Sequence, residues 1–580
     1  MLLAWTYVPL LLFATVASAL RSNRQLRQQL EFRTRIGYTA AFRRSLTDVA
    51  FTVELKVDHF GSGQGTFKNR YWINDTYYNG GPVFIFDVGE SNAEDYYNGV
   101  LQEDGGVQSS VMSLARKYKG LAILWEHRYY GQSVPFQDKF SNVTQFTANE
   151  WKYLTADQAL EDFVVFAKGF TLPPASQIQL HSTDALKPQN TPWIVVGASY
   201  PGVRAALLRV RNPEIVFASW ASSAPVQAQI NMASYYEAIE RALPRNCSSD
   251  WVAVTKYVDS ILMGNDITEQ NRVKRALYVA HSSGPGGNTT FVQQLTDSDV
   301  SAIPSSIIAG VLLDAVNNFQ GDGLRDTVPF CNRLETRNFT NDPTPEGLFA
   351  TQGINTTFNA FMTAIAEVDF NTKLSSGNSD VSDAYSWMWQ FCSEFGYYQV
   401  ADPNNPVNIV PTYYSLAEQQ TMCDQLFNNT NPRQPNVTAL NKYGGWDMNP
   451  SNVFFSNGQY DPWRTLSINS QESNSPQRNG SEIVPSCNSS PQSPSFFGTT
   501  YPRQVHGVDV FMAPTDTQDA MDAYAKGLTL FSSALDKWLP CYRPASSTRG
   551  NSGNSGQRLS SGRSLLTSIF LVSFLSAIIA

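Results

Sequence analysis

The feature that most constrains the fold is a series of short, uninterrupted apolar runs separated by stretches with helical periodicity. Pro82–Val88 and Leu121–Trp125 are two such runs, and a glycine precedes each of them. Runs of this kind are typical of strands buried on both faces, which occur in parallel sheets covered by helices. Trp193–Val196 continues the series. Between Ala50 and Pro225 the sequence therefore predicts a parallel α/β sheet.

The pattern changes twice after this region. Strand signals disappear after residue 225, and segments such as Thr357–Val368 have helical spacing. Strand signals return at Asn452–Ser456, and Met521–Leu539 is an amphipathic helix. The expected organisation is a signal peptide at 1–19, an α/β domain in two parts at 20–225 and 441–543, a helical insertion at 226–440, a Ser/Gly linker at 544–564 and an apolar tail at 565–580.

The sharpest candidate for chemistry is Ser199, which lies in a strand–turn–helix context. It follows an apolar run through Gly197, and the segment after it is compatible with a helix. Such a turn exposes the hydroxyl at a sheet edge and directs the next amide, that of Tyr200, toward a developing oxyanion. The usual Gly-x-Ser-x-Gly spacing is not kept, because Pro201 takes the second glycine position and Gly202 follows it. On this motif alone, a nucleophile and a chance match are about equally favoured.

The scarcity of histidine selects the expected base. A serine nucleophile needs a histidine that is oriented by a carboxylate, and α/β-hydrolases carry them in the chain order Ser, acid, His. Of five histidines, only His281 and His506 follow Ser199, and His281 falls inside the helical insertion. Asp461 follows the returning strand through a short turn. Ser199, Asp461 and His506 are therefore the expected catalytic residues.

Other polar residues near these motifs have simpler interpretations. His59 and His127 precede the serine turn and are expected to be structural. Asp509 follows His506 by three residues and is interpreted as a helix N-cap or a supporting partner. The Ser222-Ser223 pair follows a strand without a preceding glycine turn, so we expect it to pack near the site.

Both ends of the chain carry targeting signals. Residues 1–19 contain an apolar run and end in Ala17-Ser18-Ala19, the small-x-small pattern of signal peptidase sites. Residues 565–580 are apolar with no basic residue after them, and a polar spacer and Asn554-Ser555-Gly556 precede them, an order typical of GPI attachment. Asn551-Ser552-Gly553 is a second candidate site, and a transmembrane helix is the alternative interpretation, although 16 residues is short. The expected location is the cell surface or the medium.

The cysteines and sequons agree with export. Six cysteines behind a signal peptide predict three disulfides. The sequence has no C-x-x-C and no H-E-x-x-H, so neither a metal nor a cofactor is expected. Ten N-x-S/T sequons predict a heavily glycosylated surface, with acceptors at Asn74, Asn142, Asn246, Asn288, Asn338, Asn355, Asn428, Asn436, Asn479 and Asn488.

Charge and composition limit the classes of ligand that the chain is expected to bind. The net charge of −8 leaves no basic surface for phosphates, which excludes nucleic acid as an expected ligand. Hydrophobic residues make up 42% of the chain and aromatic residues 12%, enough for a large buried core.

Taken together, these residues resemble the secreted and lysosomal serine peptidases that include prolyl-Xaa carboxypeptidase, dipeptidyl peptidase II, thymus-specific serine protease and a secreted acid prolyl endopeptidase. The matching motifs span about Val57 to Leu539. They are Asp58-His59-Phe60, Arg70-Tyr71-Trp72, Glu126 through Gly131, Leu154-Thr155 with Gln158-Ala159-Leu160, Gly197 through Gly202, Ser222 through Pro225, Gln390 with Cys392 and Glu394, Asn457-Gly458, and Asp461-Pro462-Trp463. The Pro201-Gly202 spacing is usual in this family.

The resemblance implies an α/β-hydrolase fold with a mostly helical cap domain inserted between strands. It also implies that peptide bonds are cleaved on the carboxyl side of proline through an acyl-enzyme, with Trp463 in the wall of the acyl pocket. In the loop where relatives often carry Gly-Asn-Glu-Gly, this chain has Val88 through Asn92, so Glu90 is expected to engage a substrate amine and a loop amide to complete the oxyanion hole.

The resemblance further implies a disulfide between Cys392 and Cys423. The remaining cysteines would then pair as Cys247–Cys331 within the cap and Cys487–Cys541 beside the last helix, although six cysteines allow 15 connectivities in general.

Three classes of function remain open. A serine peptidase acting on proline-containing peptides is favoured, and a carboxypeptidase-like exopeptidase is favoured within that class. A lipase or esterase of the same fold is the alternative enzyme, and a non-catalytic surface recognition module is the third class. Spacing does not distinguish removal of one C-terminal residue, release of N-terminal dipeptides and internal cleavage. The expected partners are proline-containing peptides, the membrane through the GPI anchor, and a second copy in a homodimer.

Overall fold

The structure is a computed structural model. It describes residues 50–544 except 141, 175, 177, 284–294, 318, 337–344, 369–380 and 429. The predicted signal peptide, the sequons at Asn288 and Asn338, the GPI site at Asn554 and the apolar tail lie outside the described residues.

A nine-stranded sheet forms the centre of the described chain. Its strands are β1 (Phe51–Lys56), β2 (Thr66–Asn74), β3 (Val83–Asp87), β4 (Leu121–Trp125), β5 (Trp193–Ala198), β6 (Ala218–Ser222), β7 (Val453–Gly458), β8 (Asn479–Ser481) and β9 (Ser495–Tyr501). The order across the sheet is β1-β2-β4-β3-β5-β6-β7-β9-β8. β2 is antiparallel to both of its neighbours, whereas all strands from β4 to β8 in that order run parallel.

This topology confirms the predicted α/β-hydrolase fold, and burial explains the apolar runs from which the strands were predicted. Every residue of β3, β4 and β5 is buried. Within β3, Ile85 packs into the core on one face of the sheet, whereas Phe84 and Phe86 pack into the core on the other. A strand buried on both faces needs apolar side chains at successive positions, and this removes the polar alternation of a half-exposed strand.

Helices cover both faces of the sheet. They are, in chain order, α1 (Ser110–Tyr118), α2 (Ala156–Gly169), α3 (Tyr200–Arg211), α4 (Ser234–Ala242), α5 (Arg245–Leu262), α6 (Ile267–Ser283), α7 (Asp297–Ala302), α8 (Leu324–Thr336), α9 (Gly347–Gln352), α10 (Ile354–Glu367), α11 (Val381–Gln390), α12 (Leu416–Leu426) and α13 (Gln518–Trp538). α1 and α13 contribute to the core on one face, and α2 and α3 contribute to the core on the other. The helix predicted over Thr155–Phe166 is α2, and the Thr155 side chain caps its N-terminus.

Helices α4 to α12 all lie between β6 and β7, where the sequence predicts the insertion. Their apolar side chains, such as Trp251 and Phe361, join the core on the α2 and α3 face of the sheet. Two short strands, Gln229–Asn231 and Gly396–Tyr398, pair in parallel within this segment. The domain bounds at 226 and 440 remain a prediction.

Two of the three expected disulfides are present. Cys247–Cys331 joins α5 to α8, and Cys392–Cys423 joins the end of α11 to α12. The expected Cys487–Cys541 bond is absent from the structure, where both residues are free thiols. Burial, and then the neighbouring Cys541 thiol, raise the pKa of the Cys487 thiol to about 12.

Within the described ranges, no helical segment combines the length and the hydropathy of a membrane span.

Candidate active site

Ser199 lies at the turn between β5 and α3 in a strained backbone conformation. Its φ and ψ are +67° and −132°, a region that residues with a side chain rarely adopt. Its backbone N–H donates to the carbonyl of Ser222 over 2.9 Å, which fixes the turn to the end of β6. The side chain is half-buried. The predicted strand–turn–helix context of Ser199 is therefore present.

Close packing explains why the glycine falls at position 202. A Cβ at Gly202 would lie 2.5 Å from the Ser222 carbonyl oxygen, because α3 approaches β6 at this point. A Cβ at Gly197 would lie 2.3 Å from the Pro201 carbonyl oxygen, across the turn itself. Pro201 occupies the first turn of α3, where the missing N–H of proline leaves no helical bond unmade.

Asp461 and His506 form a buried pair. Nδ1 of His506 lies 2.9 Å from each carboxylate oxygen of Asp461, and both side chains are fully buried. A carboxylate only accepts, so Nδ1 carries the proton and Nε2 is the basic nitrogen of the neutral ring. Asp461 also accepts from the Trp463 backbone N–H over 2.9 Å and from the Asn457 amide over 3.3 Å. These contacts fix both the carboxylate and the imidazole.

The sheet topology explains how three distant residues reach one edge. Ser199, Asp461 and His506 follow β5, β7 and β9, which run parallel with only β6 between β5 and β7. The carboxyl ends of parallel neighbouring strands meet at the same edge of a sheet, where α/β proteins bind their ligands.

The Ser222-Ser223 pair links the serine turn to the histidine loop. Ser222 accepts from the Ser199 N–H, and the Ser223 hydroxyl accepts from the Gly507 N–H over 2.9 Å. Ser223 also donates its backbone N–H to the Ser456 carbonyl over 2.7 Å. The pair therefore lies beside the site, where the sequence predicts it.

Asp509 anchors the histidine loop from within the core. Its carboxylate accepts from the hydroxyls of Ser222 and of Tyr501. Burial raises the pKa of the Asp509 carboxyl above its usual value, and these hydrogen bonds offset part of that rise. Asp509 caps no helix, so of the two interpretations from the sequence it fits the supporting partner.

The loop after β3 lies against the first turn of α3. Gly89 has a φ of +68°, and a Cβ there would lie 2.2 Å from Pro201 Cγ. Glu90 is buried in this loop. The Tyr200 hydroxyl lies 3.1 Å from His127 Nε2 and accepts from the Gln390 amide over 3.1 Å, so this side chain belongs to the core while its amide lies at the start of α3.

Trp463 contributes an aromatic wall next to His506. Its ring centroid lies 6.3 Å from that of His506, 5.6 Å from Tyr235 and 5.3 Å from Tyr397. Its indole N–H donates to the side-chain oxygen of Gln320 over 2.7 Å. Tyr235, Tyr397 and Gln320 all belong to the segment between β6 and β7, so this segment encloses the indole.

Sequence reasoning missed two contributors from the same segment, Gln320 and Asp383. The two carboxylate oxygens of Asp383 accept the backbone N–H groups of Asn92 and Gly131, each over 2.8 Å. It therefore holds the loops after β3 and β4 together. These partners are 291 and 252 residues away in the chain, and no local sequence pattern predicts a contact over such a separation.

In the part of the chain that the structure describes, no group of three or more His, Cys, Asp or Glu side chains is arranged to hold a metal ion.

Comparison with known proteins gives relatives that are named as serine proteases or carboxypeptidases. The thymus-specific serine protease of Homo sapiens is 25% identical and is matched over 72% of this chain and 76% of that protein. The lysosomal Pro-X carboxypeptidase of Pongo abelii is 26% identical over 70% of this chain and 76% of that protein. Among solved structures, the proline iminopeptidase of Mycobacterium smegmatis has a TM-score of 0.30 and 12% identity, with 84% of this chain and 99% of that one covered.

The family described as Serine carboxypeptidase S28 matches residues 55–478, which include the serine turn, the intervening helices and Asp461. The chain therefore belongs to the serine carboxypeptidase S28 family, and it is a serine-type peptidase.

Proposed function

We propose that this peptidase hydrolyses peptide bonds on the carboxyl side of proline with Ser199, Asp461 and His506 as its triad. The observation that carries the proposal is the buried His506–Asp461 pair, with 2.9 Å contacts, at the sheet edge that also bears the strained Ser199. A base that is oriented by a carboxylate is what a serine nucleophile requires.

The chemistry follows from the proton on Nδ1 of His506. Nε2 takes the Ser199 hydroxyl proton as Oγ attacks the scissile carbonyl, and Asp461 stabilises the resulting imidazolium. The imidazolium then gives this proton to the leaving amine, and an acyl-enzyme remains on Ser199. In deacylation Nε2 takes a proton from water as the water oxygen attacks the acyl carbon. The bond to Oγ then breaks, the imidazolium returns the proton to Ser199 Oγ, and the free acid leaves.

Two backbone amides are proposed to bind the oxyanion. The Tyr200 amide lies at the N-terminus of α3, where the helix dipole favours negative charge. A second amide comes from the loop at Gly89 and Glu90, which packs against Pro201. Preorganised donors of this kind lower the barrier because they need no rearrangement as charge develops.

Proline specificity is proposed to come from Trp463. The indole lies beside His506 and against Tyr235 and Tyr397, and its flat apolar face is the proposed contact for the proline ring. A pyrrolidine ring is compact and rigid, and its nitrogen brings no donor that would need a partner. Pockets of this kind discriminate by about 1–3 kcal/mol per methylene-sized difference, so the preference for Pro over Ala should be substantial but finite.

A carboxypeptidase mode is proposed because one relative is named a Pro-X carboxypeptidase. In this mode the acyl group ends in proline and the leaving group is the last residue of the peptide. Glu90, which is buried in the loop after β3 and follows Gly89, is the proposed contact for a substrate amine.

Export and surface anchoring are also part of the proposal. The disulfides Cys247–Cys331 and Cys392–Cys423 favour an oxidising compartment. Of the sequon asparagines in the described ranges, Asn74 and Asn246 are half-buried, and the exposed ones are Asn142, Asn355, Asn428, Asn436, Asn479 and Asn488. Release of the protein from cells by a phosphatidylinositol-specific phospholipase would support the GPI anchor at Asn554. Retention on the membrane after this treatment would argue for a transmembrane tail.

The function is tested with matched acyl-Pro and acyl-Ala peptides and with p-nitrophenyl esters. Wild-type enzyme should cleave the Pro peptides best, and Ser199→Ala should lower kcat by on the order of 10⁶-fold. Ser219→Ala, at a buried serine of the neighbouring strand β6, is the matched control and should retain activity. Rapid ester cleavage without peptide cleavage would support the esterase alternative.

The role of Trp463 is tested by Trp463→Ala on the same peptides. We expect kcat/KM to fall much more for the Pro peptide than for the Ala peptide. Equal losses on both would mean that the indole supports the fold or the triad and does not recognise proline.

A further inference from the structure

Gln320 belongs to a single helical turn of the inserted segment that is pressed against the histidine loop. The turn is Phe319–Asp322, and Gln320 is only 5% exposed. Gly323 ends it with a φ of +58°, and its N–H donates to the Phe319 carbonyl over 2.8 Å. A Cβ at Gly323 would lie 2.6 Å from Val505 Cγ1, one residue before His506. The turn and the histidine loop are therefore in direct contact.

Gln320 makes two hydrogen bonds that converge on the proposed site. Its side-chain oxygen accepts the indole N–H of Trp463 over 2.7 Å. Its backbone carbonyl accepts the backbone N–H of His506 over 3.2 Å. One residue of the insertion therefore fixes both the ring beside the reacting groups and the backbone that carries the proposed base.

The indole needs this acceptor to keep one orientation. Tyr235 and Tyr397 meet it in edge-to-face contacts, with interplanar angles of 77° and 82°, and such contacts are available to either face of the ring. The N–H is the only polar group of the ring, and a buried donor without an acceptor costs free energy. The Gln320 oxygen therefore selects one of the ring orientations that the aromatic neighbours permit. The Tyr235 hydroxyl also reaches this oxygen, over 3.4 Å.

We propose that Gln320 is a positioning residue for proline selectivity, because its side-chain oxygen sets the orientation of the Trp463 indole in the acyl pocket. This inference rests on the proposed function, in which Trp463 contacts the proline ring. Gln320 itself acts through Trp463, and its backbone bond to His506 ties that orientation to the position of the base.

The test compares Gln320→Leu, which keeps bulk but removes the acceptor, with Gln320→Glu, which keeps an acceptor at similar reach. The readout is the ratio of kcat/KM for matched Pro and Ala peptides. Any shift in the base affects both substrates alike, so the ratio isolates the pocket. Gln320→Leu should lower the ratio about tenfold, the effect of leaving one buried donor unpaired, whereas Gln320→Glu should stay close to wild type. Gln419→Leu, at another buried glutamine of the insertion, is the control for folding effects.

A double-mutant cycle with Trp463→Phe makes the test independent of general destabilisation. Phenylalanine removes the N–H donor, so Gln320→Leu should change the ratio no further in that background. An unchanged ratio in the single variant, or the same loss in both backgrounds, would overturn the inference while leaving the proposed function intact. A wild-type enzyme that cleaves Pro and Ala peptides equally would overturn the proposed function, and this inference with it.

Discussion

The molecule contains two buried Asp–His pairs with similar geometry, one in the proposed active site and one in the structural core. His506 meets Asp461 at 2.9 Å, and Nε2 of His59 meets Asp162 at 2.7 Å. Both carboxylates are almost fully buried, and neither the distance nor the residue types distinguish the pairs. The difference comes from what else each carboxylate contacts and from where each pair lies relative to the sheet.

Asp162 is already paired with a buried cation. Arg128 donates to its two oxygens over 2.5 and 2.7 Å, and it gives its other N–H groups to the carbonyls of Val57, Tyr153 and Lys56. This guanidinium compensates the charge of Asp162 and ties β1 to the segments before α2. The pair with His59 is therefore part of a structural network.

Asp461 receives its remaining hydrogen bonds from neutral groups, the Trp463 amide and the Asn457 side chain. In the described part of the chain no arginine or lysine donates a hydrogen bond to Asp461, although the charge of the nearby Arg464 interacts with it. The carboxylate oxygens are directed at His506. The comparison teaches that an Asp–His pair becomes suited to base catalysis when no cation is hydrogen-bonded to the carboxylate and the pair lies at the strand edge beside a nucleophile. Burial and distance alone do not confer that role.

The largest expected effect separates the two histidines. His506→Ala should lower kcat on Pro peptides by on the order of 10⁶-fold, because triad members act as a unit. His59→Ala should leave kcat close to wild type, and its effect should appear in the unfolding midpoint. Steady-state kinetics on both purified variants check this. Comparable losses of kcat would contradict the assignment of a catalytic role to His506 and a structural role to His59.

The next effect tests the carboxylate of the proposed triad. Asp461→Asn should lower kcat by about 10⁴-fold, because an amide can leave the imidazole in the wrong tautomer and cannot stabilise the imidazolium. The thermal unfolding midpoint should be measured alongside, so that a loss of folded protein is not mistaken for a loss of chemistry. A variant with near-normal kcat would exclude Asp461 as the acid.

A stability effect should mark the other carboxylate. Asp162→Asn leaves the Arg128 guanidinium buried without its counter-ion, so the free energy of unfolding should fall by about 3–5 kcal/mol. Urea titration measures this loss, and kcat per folded molecule should stay near wild type. Loss of kcat in a variant of unchanged stability would contradict the structural role.

The smallest effect extends the comparison to a carboxyl that faces another carboxyl. Burial, and then the charge of Asp250, raise the pKa of Glu335 to about 8. The folded chain therefore keeps a proton that the unfolded chain loses near the usual glutamate pKa. This stability is fully present below that value and is lost as the pH rises toward about 8.

Glu335→Gln should accordingly weaken the fall of the unfolding midpoint between pH 5 and pH 8. The slope should not vanish, because burial, with a contribution from Asp157, raises the pKa of Glu394 to about 7 and acts in the same direction. Glu269→Gln, at a glutamate of α6 whose side chain is 45% exposed, is the matched control. Identical pH profiles for the Glu335 variant and wild type would contradict the retention of a proton on Glu335.

The sequence predicted what depends on local pattern and chain order. The apolar runs at β3 and β4 predict strands buried on both faces, which the structure confirms. The set Ser199, Asp461 and His506 comes from the chain order of the fold and remains a proposal. Asp383 and Gln320 could not be found in this way, because their contacts join segments more than 100 residues apart.

Local composition also misled in one place. Residues 469–494 are rich in Ser, Asn, Gln and Pro and predict a loop, yet Asn479–Ser481 forms β8 by pairing with β9 at the edge of the sheet. Tertiary pairing overrides weak strand propensity there. The expected Cys487–Cys541 disulfide was also wrong, because the spacing of cysteines along the chain does not determine whether two of them bond.

The central claim is that His506 and Asp461 activate Ser199, and the most direct test is labelling with a small fluorophosphonate followed by peptide mass analysis. Wild-type and Asp162→Asn protein should each acquire one adduct, on the peptide that contains Ser199 and at similar rates, whereas His506→Ala should not react. An adduct on a different residue, or undiminished labelling of His506→Ala, would contradict the account.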